Sequence, residues 1–126
     1  MTGIQSDQDQ FQVPIDLENC IKMFNGDRHV VLELVGDLLK LYGEQRKNLV
    51  EALGGHDQEK IRREAHSIKG GAAVLSAGPL MKAAAALEEA GRSGDLSRSE
   101  EAFSTLEIEV DRLAAYFNSL CVIVLS

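Results

Sequence analysis

Ala65-His66-Ser67-Ile68-Lys69-Gly70-Gly71-Ala72 lies inside a helical pattern. Ile61, Ala65, Ile68, Ala72 and Leu75 recur at intervals of four and three and make one apolar stripe. At about 100° per residue, His66 falls roughly 140° from the middle of that stripe, so it points to water or to the edge of the core. Arg62 lies one turn behind it, Lys69 and Gly70 one turn ahead. Two adjacent glycines inside a helix cost about 0.5–1 kcal/mol each relative to alanine. A surface kept open beside the histidine would justify them, and so would close helix packing. Taken alone, His-x-x-Lys-Gly is a short pattern of low specificity. Its weight comes from the periodic helix that carries it and from a carboxylate on the helix that follows.

Outward from this helix, the pattern predicts an all-α chain. Residues 1–12 read as a disordered arm rich in Gln, Asp and Ser. Pro14 opens a short helix over Ile15–Phe24. Asp27 caps a long one whose inward face is Val31, Leu34, Val35, Leu38, Leu41, Tyr42, Leu49 and Leu53, closed by Gly54-Gly55. Asp57 caps the helix of His66, which runs to about Ser76. Pro79 starts a fourth, with Leu80, Ala84 and Leu87 inward and Gly91 as its end. Arg92-Ser93-Gly94-Asp95 reads as a loop, and Ser97-x-x-Glu100 as a capping box for the last helix. That helix turns Phe103, Leu106, Val110, Leu113, Phe117 and Leu120 inward. The apolar tail Cys121–Leu125 is either its buried end or an exposed strand. Short loops between amphipathic helices predict an antiparallel up-down-up-down four-helix bundle with a short extra N-terminal helix, one domain over 13–126.

Composition narrows the function. The 126 residues suffice for one core; 44% are hydrophobic but only 5% aromatic, which suits helices rather than strands. A net charge of −7 argues against nucleic acid and against an anionic membrane surface. Cys20 and Cys121 have neither metal-type spacing nor a secreted framework. The N-terminal stretch is no signal peptide, and no apolar run is long enough to span a membrane. A soluble cytoplasmic protein with reduced thiols is expected.

The chemistry left open is that of one histidine. Nucleophilic imidazole needs a free lone pair on one nitrogen and an acceptor that holds the other as N–H. Glu88, one residue past Leu87 at the margin of the inward stripe, is a candidate acceptor, while Glu89 lies further round. Lys69, with Arg62 nearby, could neutralise phosphoryl oxygens. Alone, each of these is more often an ordinary surface charge. His29 and His56 read as solvated. No phosphate-binding glycine loop, metal cluster or Ser/His/Asp order is present in the sequence.

Ala65 to Ala72, then Leu75, Leu80 and Leu87-Glu88 before Gly91, resemble the histidine-containing phosphotransfer (HPt) family over about residues 28 to 120. The wording His-Ser-Ile-Lys-Gly-Gly-Ala looks most like the amino-terminal phosphotransfer domain of chemotaxis histidine kinases. There a glutamate at the position of Glu88 hydrogen-bonds the ring; stand-alone relatives often carry glutamine. Ser76 stands where glycine is common, and Ala85 where chemotaxis kinases have a polar residue. The resemblance implies that His66 is the phosphoacceptor, that Lys69 neutralises the phosphoryl oxygens, and that Glu88 sets the tautomer. It puts Arg62, Gly70 and Ala73 toward the partner. It further implies a monomeric carrier with no ATP site and no cofactor of its own, magnesium sitting in the partner. That partner would be a response-regulator receiver domain, a histidine kinase, or both. Two alternatives stand beside this: a phosphotransfer domain separated from a chemotaxis-type kinase, and a non-catalytic helical adaptor in which His66 is incidental.

Overall fold

Aspartates start four of the five helices in the computed structural model, which describes residues 13–125, with side chains through 123. The helices are α1 (Leu17–Met23), α2 (Arg28–Gly54), α3 (Gln58–Val74), α4 (Gly78–Ser93) and α5 (Leu96–Leu125). No strand occurs among the described residues, and the arm expected over 1–12 lies outside them. Asp16, Asp27, Asp57 and Asp95 accept from the backbone N–H groups of Asn19, Val30, Lys60 and Arg98 at 3.2, 3.1, 3.1 and 3.1 Å. Such a cap is worth about 1 kcal/mol. α4 has no side-chain cap and starts on Gly78-Pro79, where the fixed φ of proline suits a first turn.

Several boundaries differ from those expected. α1 is shorter: Ile15 precedes the cap and is instead a buried core residue. α5 begins one residue before Ser97, and Asp95 rather than Ser97 caps it. α4 runs through Gly91 to Ser93; Gly94, at φ 77°, makes the left-handed exit. After α2 the left-handed position falls on His56, at φ 56°, because Gly55 keeps φ −93°. Ser76 does the same after α3. In both turns a backbone N–H reaches back around the helix end, from Asp57 to the Ala52 carbonyl at 2.8 Å and from Ala77 to the Ala72 carbonyl at 2.9 Å.

Packing closes a ring: α2 meets α3, α3 meets α4, α4 meets α5, and α5 returns to α2, with α1 against α2. The stripe Ile61, Ala65, Ile68, Ala72 and Leu75 is buried, facing Leu80, Ala84 and Leu87 of α4 and sharing one core with Val31, Val35, Leu49, Leu106 and Leu113. α2 departs from its expected face at several places, Leu32 and Ala52 being buried outside it. Leu41 is 57% exposed, while Gln45 is buried. Leu41 lies at the edge of the apolar arc; Gln45 lies nearer its middle, and its amide donates to Ser67 Oγ at 3.1 Å. Leu34, Leu38 and Leu41 then form, with Gly71 and Val74, an apolar groove of about 260 Å³ between α2 and α3. The C-terminal tail is helix through Leu125, with Val122 and Ile123 exposed, so it is not a strand. No helix among the described residues is long and apolar enough to cross a membrane.

Candidate functional site

α3 and α4 each bury small residues, Ala65 and Ala72 on one and Ala84 and Gly91 on the other, and Gly91 lies against the α3 backbone. The two helices run in opposite directions. The first turn of α3, at Gln58 and Arg62, lies beside Gly91, and His66 lies one layer on beside Glu88.

This closeness decides the state of Glu88. Its side chain is only 6% exposed, although it is one step off the apolar stripe. Glu89 faces water and pairs with Arg92 at 2.6 Å. The imidazole of His66, by contrast, is 65% exposed. Glu88 divides its two oxygens between neighbours. Oε1 accepts from Nζ of Lys69 at 2.6 Å, and Oε2 lies 2.7 Å from Nδ1 of His66. Donation from Lys69, foremost, holds the Glu88 carboxyl below its ordinary value of 4.5; burial pushes the other way, and the contact with His66 adds to the lowering. Glu88 is therefore ionised at neutral pH and can only accept hydrogen bonds. Nδ1 of His66 must then carry the ring proton, which leaves the lone pair on Nε2.

Arg92 completes the cluster, with Nη2 3.7 Å from Oε2 of Glu88. Local sequence rules place it in a loop. Its spacing of four from Glu88 and three from Glu89 was the available signal, and that signal depends on the helix continuing past Gly91. Lys69, expected to face phosphoryl oxygens, is engaged with Glu88. Arg62 is held by Glu59 in its own helix, and Lys60 reaches Glu51 of α2 at 3.3 Å. The two central glycines divide the two purposes considered for them. A Cβ on Gly70 would meet nothing within 4 Å, whereas one on Gly71 would stand 3.3 Å from Cδ1 of Leu38. Ala73, two turns beyond His66, is exposed on the same side as Gly70. His29 and His56 flank the two ends of α2 and do not join the cluster. Among the described residues no group of three or more His, Cys, Asp or Glu is placed to hold a metal ion.

An exposed imidazole with a fixed tautomer beside an ammonium can take up an electrophilic group and bear the negative charge that comes with it. No curated protein matches the chain. The fold is similar to the crystal structure of histidine-containing phosphotransfer protein B (HptB) from Pseudomonas aeruginosa PAO1, with a TM-score of 0.76 at 24% identity, covering 84% of this chain and 92% of that one. The family model described as the Hpt domain matches residues 33–116, a span that takes in α3, α4 and the whole cluster around Glu88. With well over half its length matched, the chain belongs to the Hpt domain family, the histidine phosphotransfer modules of phosphorelays.

Proposed function

We propose that the chain carries a phosphoryl group on Nε2 of His66 and exchanges it with an aspartate of a response-regulator receiver domain. The observation that carries this is the 2.7 Å contact between Nδ1 of His66 and an ionised Glu88. In the uptake direction the Nε2 lone pair attacks phosphorus of the aspartyl phosphate. The P–N bond forms as the P–O bond breaks, and the aspartate leaves as carboxylate with the bonding pair. The ring proton stays on Nδ1, shared with Glu88, whose charge offsets that of the phosphorylated ring. Lys69 lies on the same carboxylate and is within a turn of the ring, so it can turn to the phosphoryl oxygens as they arrive.

Arg62, Gly70 and Ala73 form the surface that a receiver meets, and the groove of Leu38, Leu41 and Val74 continues it on the α2 side. Leu41 and Val74 are 57% and 54% exposed. Magnesium belongs to the receiver's acidic pocket, which the basic residues Lys60, Arg62, Arg63 and Lys69 complement in a chain of net charge −7. The scaffold of this reading is an antiparallel up-down-up-down four-helix bundle, supported by short connections and the closed ring of helix contacts. The carrier is monomeric and cytoplasmic and has no ATP site of its own.

Incubation with a phosphorylated receiver domain tests the proposal. Phosphate should pass to this chain in an acid-labile, base-stable form and map to His66. A chain that binds the receiver yet never takes label would be a helical adaptor.

A further inference from the structure

We infer that Gly91 is a positioning residue for the His66 site: its missing side chain sets the spacing of α3 and α4 that brings Glu88 to the imidazole. A Cβ at Gly91 would stand 3.0 Å from the backbone N of Arg62, 3.2 Å from the carbonyl O of Gln58 and 3.3 Å from Cα of Arg62. All three are main-chain atoms, so no side-chain rotation relieves the contact. Gly91 is buried within α4, where glycine is a poorer helix former than alanine, and its backbone φ needs no glycine. The close approach is what the position requires.

The contact lies one layer from the chemistry. Arg62 is one turn before His66 on α3, and Gly91 is one turn after Glu88 on α4. The first turn of α3 has little room to retreat, because Ser99 of α5, fully buried, donates to Oε1 of Gln58 at 3.3 Å. A methyl group at 91 therefore moves α4 outward by a few tenths of an ångström, and it takes the Glu88 carboxylate along. A hydrogen bond of 2.7 Å is lengthened directly by such a shift.

The functional part of this inference rests on the proposed phosphotransfer; the geometric part does not. The test uses the full chain as Gly91→Ala and Gly91→Val, with Gly36→Ala as control. A Cβ at Gly36 would meet Cζ of Phe117 at 3.3 Å, a tight contact between α2 and α5. Imidazole ¹⁵N shifts of His66, recorded above the histidine titration range, read the tautomer directly. In the parent chain they should show Nδ1–H. Gly91→Ala should move part of the population to Nε2–H, and Gly91→Val more. Transfer from a phosphorylated receiver should slow in the same order, several-fold and then about a hundredfold, the cost of a displacement near 1 Å. Gly36→Ala should leave the shifts in place.

Unchanged ring shifts in folded Gly91→Ala would overturn the inference, and so would an equal change in Gly36→Ala, which would mean general loosening. Failure of Gly91→Ala to fold would overturn it too, since the position would then carry the fold rather than the spacing. If the parent chain takes no label while the tautomer responds to Gly91, the phosphotransfer reading fails and the positioning stands.

Discussion

Lys69 donates to Oε1 of Glu88 at 2.6 Å, on the same carboxylate whose other oxygen meets His66. Folding thus gives this carboxyl two donors that it lacks in the unfolded chain, and its pKa falls below 4.5. Because the folded pKa is the lower one, the stability from Glu88 is fully present above the unfolded value. It is lost as pH falls through the folded value. Glu88→Gln keeps the shape and removes the charge. The variant should melt below the parent chain at pH 7, and the gap should narrow as the pH falls below 4.5 and through the folded value. Melting curves across that range decide the matter: a constant gap would show that the carboxylate is not linked to folding.

The His66 side chain is exposed, and its hydrogen bond goes to Glu88. His66→Gln should leave the melting temperature nearly unchanged, since exposed substitutions usually stay within about ±0.5 kcal/mol. Labelling from a phosphorylated receiver should disappear completely. Label that persists on His29 or His56 would move the phosphoacceptor elsewhere.

Gly70 faces open space one turn beyond His66. Replacement by glutamine should favour the helix by up to about 1 kcal/mol. A side chain there stands beside the imidazole and holds a receiver away. Gly70→Gln should therefore melt at the same or a higher temperature while transferring phosphate far more slowly. A variant that is less stable but transfers normally would assign the glycine to packing.

His56 occupies the left-handed region at φ 56° and is exposed. A non-glycine residue pays about 1–2 kcal/mol there. His56→Gly should raise stability by about 1 kcal/mol and leave phosphotransfer at the parent rate. Denaturant melts would show it as a higher midpoint with an unchanged slope. Loss of transfer would give His56 a role that its position does not suggest.

The helical class and the outward angle of His66 were legible because each follows from the spacing of a single helix, Ile61 to Leu75. The aspartate caps of α2 and α3 were legible for the same reason. What escaped depends on a second helix. Gly91 looks like a stop signal to local rules, and only the backbone of Arg62 and Gln58 explains why glycine continues a helix there. A local rule that ends α4 at Gly91 leaves Arg92 in a loop and out of the site. The burial of Glu88 was hidden because apolar periodicity assigns a carboxylate to the margin, whereas coverage is decided by how near α3 lies. Leu41 is exposed for a similar reason: the arc of apolar residues on α2 is wider than the surface its neighbours cover.

The side chains of the site come from one helix–turn–helix. His66 and Glu88 are 22 positions apart, Lys69 and Glu88 only 19. Contacts so near in sequence cost little chain entropy to close and are characteristic of rapidly formed structure. α3 and α4 can thus bring the carboxylate to the imidazole before the distant ends of the chain have docked. The exposed end of α5 can fray and re-form without disturbing them. Chemical competence is in this sense a local property of the hairpin, and the remaining helices serve to keep that hairpin populated.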